Sequence, residues 1–186
     1  MVTNIHQRIV HASPESCWGL IERLGTRQDK LWPHHRWSPI HLEGPLEVGT
    51  HGGHGPLRYH VETIEAGRCV RFRFSCPHGA TGLHSFEIEA IDDQHTLLRH
   101  RLEMNSSLPA LASWFGGLKL LHDALMEDTM DCAQRALEPW TTLPERPLPL
   151  HIRALRRFGP QRLKAFRPLG ITPQELEAML FDPSLR

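Results

Sequence analysis

Leu57-Arg58-Tyr59-His60-Val61-Glu62-Thr63, Val70-Arg71-Phe72-Arg73-Phe74-Ser75, Phe86-Glu87-Ile88-Glu89-Ala90 and Leu98-Arg99-His100-Arg101-Leu102-Glu103-Met104 share one pattern. Side chains change character at every second residue. Successive side chains of an extended strand point to opposite faces, so each run has a dry side and a wet side. Leu57, Tyr59, Val61 and Thr63 fall together on the dry side, as do Val70, Phe72 and Phe74, then Phe86, Ile88 and Ala90, then Leu98, His100, Leu102 and Met104. Short turns such as Asp92-Asp93-Gln94 join the runs, which predicts an antiparallel meander with one buried face.

Something must cover that face. Beyond Pro109 the period changes: Leu111, Trp114, Leu118, Leu121, Leu125, Thr129, Cys132 and Ala136 recur every three or four residues. Asp123, Glu127, Asp128, Asp131 and Arg135 occupy the other side. This predicts an amphipathic helix from Leu111 to Leu137, about 40 Å long at 1.5 Å per residue, ended by Pro139. Ahead of the meander, Ile5 to Ala12 reads as a strand. Ser13 then caps a helix with Pro14 in its first turn, Trp18, Leu20, Ile21 and Leu24 on its apolar side, and Gly25 at its end. Asp29 to Pro39 reads as a short helix or ordered loop, and Trp37 to Leu42 as a strand. Gly49, Gly52, Gly53 and Gly55 mark bends or bulges. The expected class is α+β: a curved antiparallel sheet around a long helix over residues 1–138, followed by a Pro-rich, basic helical extension over 139–186.

The chain has 186 residues, 40% hydrophobic and 23% charged, with 21 Lys/Arg against 21 Asp/Glu. Zero net charge gives no general attraction to nucleic acid, and none is expected as a partner. No apolar run reaches the roughly 18 residues needed to cross a bilayer, so no stable membrane insertion is expected. Met1 to His6 lacks the features of a signal peptide, and Cys17, Cys69, Cys76 and Cys132 form no Cys-x-x-Cys pair. Reduced thiols and a cytoplasmic location are the expectation. The extension holds 8 Lys/Arg against 4 Asp/Glu, a balance of +4. Leu148 to Phe158 and Thr172 to Phe181 read as short amphipathic helices that fold back on the domain or on a twin subunit in a homodimer.

Three segments carry a family likeness. They are Ile9-Val10-His11-Ala12-Ser13-Pro14-Glu15-Ser16-Cys17-Trp18, then Trp37-Ser38-Pro39-Ile40 with Gly44-Pro45-Leu46-Glu47-Val48-Gly49-Thr50, and then Ile64-Glu65-Ala66-Gly67-Arg68-Cys69-Val70-Arg71-Phe72. In this order they resemble the START/Bet v 1-like (SRPBCC) superfamily, and within it the polyketide cyclase/dehydrase and lipid-transport group. The likeness spans residues 5 to 137. It implies a helix-grip fold enclosing a cavity for lipids, polyketides or other hydrophobic molecules, and it implies no universal catalytic motif.

Independently of the likeness, the dry face supplies a lining: Tyr59, Val61, Phe72, Phe74, His84, Phe86, Ile88, His100 and Leu102 from the sheet, with Leu118, His122 and Leu125 from the helix. Ligand sites are mostly apolar with a few placed polar groups, and Tyr59, His84 and His100 are the polar members here. A neutral histidine can act as acid or base near pH 7, so these three are also the catalytic candidates. His51-Gly52-Gly53-His54 has His-x-x-His spacing, but positions three apart on a strand face opposite ways, and no metal is expected. No phosphate-binding glycine pattern is present, and no cofactor is expected. Two functions compete: carriage of a hydrophobic small molecule, and a metal-free cyclase or dehydratase acting on a polyketide-like substrate.

Overall fold

The computed structural model describes residues 1–55, 57–76 and 79–165. The chain divides into two compact units, the first Met1–Arg146 and the second beginning at Pro147. Seven strands make one antiparallel, curved sheet: β1 (Val2–Val10), β2 (His41–Leu42), β3 (His51–His54), β4 (Leu57–Glu65), β5 (Cys69–Cys76), β6 (Ala80–Ala90) and β7 (Thr96–Ser106). Their order is β1-β7-β6-β5-β4-β3-β2, so the meander is sequential and only β1 crosses to a distant partner. Phe72 pairs with His84, His84 with Leu102, and Phe86 with His100, which gathers the dry sides into one contiguous inner face. Gly82 allows the tight passage of β6 beside β7: a Cβ there would sit 2.0 Å from the Glu103 carbonyl oxygen.

Two residues assigned to the dry side are exposed: Ala90, at the end of β6, and Thr63. A bulge between Val61 and Thr63 shifts the register, setting Thr63 opposite Arg71 and Ile64 opposite Val70. The extra residue exchanges the two faces, so Thr63 is exposed and Ile64 packs against the core. The Trp37–Leu42 strand shrinks to β2, because Pro39 precedes it and only His41 and Leu42 find partners on β3.

Helix α1 (Pro14–Ile21) starts as its sequence demands, with the Ser13 hydroxyl accepting the Ser16 N–H. The helix expected over Leu111–Leu137 is instead two helices, α2 (Leu108–Ser113) and α3 (Lys119–Leu137), joined across Trp114–Leu118 by a π-type turn that is kinked at Gly117. Gly117 takes φ of 146°, open to glycine alone, and the Lys119 N–H reaches back five residues to the Trp114 carbonyl. The wider turn changes the helical phase. Trp114 is buried, yet Leu118, four residues on and expected beside it, is 38% exposed. On α3 the inward stripe is Leu125, Met126, Thr129, Met130 and Ala133. In the second unit α4 spans Leu150–Ala165, running on through Gly159-Pro160, where the sequence suggested an end. The helix expected at Thr172–Phe181 lies outside the described residues. Among the described residues no helix is long and apolar enough to cross a membrane.

The acidic side of α3 is not a solvent face. Asn4, His6 and Arg8, on the same side of β1 as buried Val10, meet Asp123, Glu127 and Asp131 in step. Asn4 Nδ2 donates to Asp123 Oδ1 (2.9 Å), His6 Nδ1 lies 2.9 Å from Glu127 Oε1, and Arg8 joins Glu127 and Asp131. Two strand residues advance about 6.8 Å and four helical residues about 6 Å, so the two ladders keep pace. On the opposite flank Asp128 accepts from Arg36 Nη1 at 3.0 Å and from the Trp37 indole N–H at 2.6 Å. Asp128 is 8% exposed and Asp131 3%. Removing one side of a buried ion pair costs about 3 kcal/mol or more. Asp128→Ala is therefore expected to lower the unfolding free energy by about 3 kcal/mol in urea titrations, with a red-shifted tryptophan emission as Trp37 loses its anchor.

Candidate functional site

The inner face of β4–β7, opposite α3, brings most of the expected lining together. Tyr59, Val61, Phe72, Phe74, His84, Phe86, Ile88, His100, Leu102 and Leu125 are all buried there. His122, in the first turn of α3, joins them through its ring, 5.3 Å from that of His100. Leu118 does not, because the π turn carries it outward.

Polar rings form a row within this apolar wall. Between centroids the steps are Trp32–His54 4.8 Å, His54–Tyr59 5.8 Å, Tyr59–His84 5.0 Å, His84–His100 5.7 Å, His100–His122 5.3 Å and His122–His6 5.9 Å. Along it, His54 Nδ1, Tyr59 Oη, His84 Nε2, His100 Nδ1 and His122 Nδ1 are buried without a hydrogen-bond partner. Burial sets the electrostatics. It holds His84 and His100 well below the ordinary histidine range, and the like charges their neighbours would carry add to this. Burial lowers His54 to about 4, helped by the Arg58 charge, and His122 to about 3. The Tyr59 phenol is pushed up by the same desolvation. At neutral pH His54, Tyr59, His84, His100 and His122 are uncharged, able to donate or accept hydrogen bonds and to exchange protons.

His6 and His54 escaped the sequence reading. His6 alternates with Asn4 and Arg8 on the side of β1 that also carries Val10, and the four-residue spacing of Asp123, Glu127 and Asp131 is its complement. His54 points inward against Trp32, whereas His51 faces outward beside His60. The His-x-x-His pair is thus divided between the two faces. His34 sits on Asp29 and His35 on Glu145. Trp32 is buried, its indole N–H donating to the Ser38 carbonyl. Burial raises the thiol pKa of Cys17 and Cys69, and that of Cys132 to about 11, which suits packing and disfavours thiolate chemistry. Two open clefts, of 320 and 440 Å³, lie on the charged outer face around Arg71, Glu87 and Arg101.

Known structures share this fold. A Thermobifida fusca protein solved by solution NMR superposes with a TM-score of 0.59 at 15% identity, covering 79% of this chain and all of the other. Norcoclaurine synthase from Thalictrum flavum, in complex with dopamine and hydroxybenzaldehyde, gives 0.58 at 12% identity, with 76% and 90% covered. CalU16 from Micromonospora echinospora gives 0.52 at 13% identity, with 88% and 86% covered. At these identities the likeness establishes the fold alone: α+β, with a curved sheet and a long helix, as in Bet v 1-like proteins. No protein-family model matches the chain, and no curated protein matches it.

The neutral imidazoles make a pH prediction. A histidine lowered to about 4 in the folded chain but near 6.5 when unfolded takes up its proton preferentially in the unfolded state between those values. Its stabilising effect is complete above about pH 6.5 and disappears as pH falls toward 4. His54 alone is expected to cost on the order of 1 kcal/mol between pH 7.5 and 5.5, with His84 acting in the same direction. Urea unfolding at the two pH values checks this, and His54→Gln should flatten the dependence.

Proposed function

We propose that the inner face of the sheet and α3 hold a hydrophobic small molecule of lipid- or polyketide-like character, with its polar end among Tyr59, His84 and His100. The observation that carries this reading is the run of three adjacent buried polar atoms, Tyr59 Oη, His84 Nε2 and His100 Nδ1, lacking partners in an apolar wall. Each such orphan costs on the order of 1–3 kcal/mol, which a ligand hydroxyl or carbonyl would recover. Val61, Phe72, Phe74, Phe86, Ile88, Leu102 and Leu125 supply the apolar remainder, with His122 at one end. A ligand seated here would lie against these side chains and shift some of them. Met126 and Met130, unbranched and fully buried, are the side chains best able to yield. The similarly folded norcoclaurine synthase, described with two small aromatic compounds bound, agrees with such a use of the architecture.

A second reading, a cyclase- or dehydratase-type enzyme on a polyketide-like substrate, is favoured by one observation. His84 and His100 are neighbours, held neutral, and no hydrogen bond ties their orphan nitrogens to the backbone. In this reading they move protons at the substrate while Tyr59 orients its oxygen.

Native mass spectrometry of protein purified from its own host, followed by denaturing extraction, tests the binding reading. A stoichiometric hydrophobic compound is the expected result. Protein that stays empty against a lipid and polyketide library would overturn it. Tyr59→Phe is expected to weaken binding of the extracted compound about tenfold while stabilising the ligand-free protein by about 1 kcal/mol. With that compound as substrate, His100→Ala should abolish turnover under the enzyme reading; unchanged turnover removes His100 from the chemistry.

A further inference from the structure

The seam between β1 and α3 contains a side-chain cluster that shares only His122, at its edge, with the proposed ligand site. We propose that His6, His122 and Asp123 bind one divalent transition-metal ion of the zinc class. One ligand atom from each residue lies within 4.8 Å of the other two. Metal–ligand distances of about 2.0–2.2 Å put tetrahedral ligands about 3.4 Å apart, so small side-chain rotations complete the set. His6 Nε2 and Asp123 Oδ1 are already 3.1 Å apart.

Proton counting at His6 strengthens the case. Its Nδ1 faces Glu127 Oε1 at 2.9 Å and its Nε2 faces Asp123 Oδ1. Ionised carboxylates only accept hydrogen bonds, and a neutral imidazole has a single N–H to give. A neutral ring can donate to only one of the two carboxylates, and a metal at Nε2 would remove the conflict on the Asp123 side. With a metal there, Glu127 accepts the Nδ1–H and fixes the tautomer, as carboxylates behind metal-bound histidines do.

His122 provides an independent pointer. Its Nδ1 is buried and has no partner, and its ring centroid is 5.9 Å from that of His6. Asn4 Nδ2 donates to Asp123 Oδ1 at 2.9 Å, orienting that carboxylate, and Asn4 Oδ1 is itself buried without a partner. Two imidazoles and one carboxylate suit borderline ions such as Zn²⁺, Co²⁺ or Ni²⁺ better than Ca²⁺ or Mg²⁺, and leave a fourth position open. Lys119 Nζ, 2.5 Å from Asp123 Oδ2, is the competing cation.

The test is calorimetric titration of the chelator-stripped full chain with Zn²⁺ alone. We expect one ion per chain, affinity at least about tenfold weaker in His6→Gln and in Asp123→Asn, tighter binding in Lys119→Gln, and no change in His51→Gln or His95→Gln. In the Co²⁺-loaded wild type, two exchangeable imidazole N–H resonances should be hyperfine-shifted, a readout that needs no variant to fold. Absence of binding, stoichiometric binding with unchanged affinity in His6→Gln and Asp123→Asn, or a number of shifted imidazoles other than two would overturn the proposal.

Discussion

Helix α3 is held at a fixed rotation by ionic contacts on both flanks, and the arrangement of the interior follows from that. Asp123, Glu127 and Asp131 engage Asn4, His6 and Arg8 on one side, while Asp128 engages Arg36 and Trp37 on the other. A helix pinned at two azimuths can present only one stripe to the sheet, here Leu125, Met126, Thr129, Met130 and Ala133. An apolar contact alone would tolerate rotation of the helix by a fraction of a turn. Buried charges do not, because leaving either partner without the other is costly. The acidic residues thus set orientation while the apolar residues supply cohesion.

Much of this was legible in the sequence, and the failures have particular causes. Period-two alternation from Leu57 to Met104 placed the strands, their faces and nine of the buried lining residues, since charged side chains at alternate positions permit only one orientation. Thr63 and Leu118 were misplaced for a shared reason. A bulge in β4 inserts a residue and the kink at Gly117 breaks the helix, and a periodic reading carried across either is out of phase beyond it. Asp123, Glu127, Asp128 and Asp131 looked like a solvated face because charge is ordinarily found outside. Their partners lie more than ninety residues away in the chain, on β1 and in the loop after α1, where no local pattern could announce them.

The interior is unusual in kind. Five imidazoles and a phenol extend in a row where aliphatic side chains would have packed without electrostatic cost. Each buried ring keeps a polar atom out of water and is held neutral by that burial. Such an interior is stable at neutral pH and vulnerable to acid, and it is chemically differentiated along its length. At one end Trp32 packs against His54, and at the other His6 reaches carboxylates near the surface. Whatever occupies the space meets a polar track rather than a featureless oily wall.

The kink before α3 has a consequence for what its glycine can be exchanged for. It rests on one backbone angle, φ of 146° at Gly117, which a residue bearing a Cβ rarely adopts. A side chain there would push the chain toward an unbroken helix, in which Leu118 would share a face with Trp114. The direction in which α2 meets α3 is thus held in a single torsion rather than spread over a helical turn.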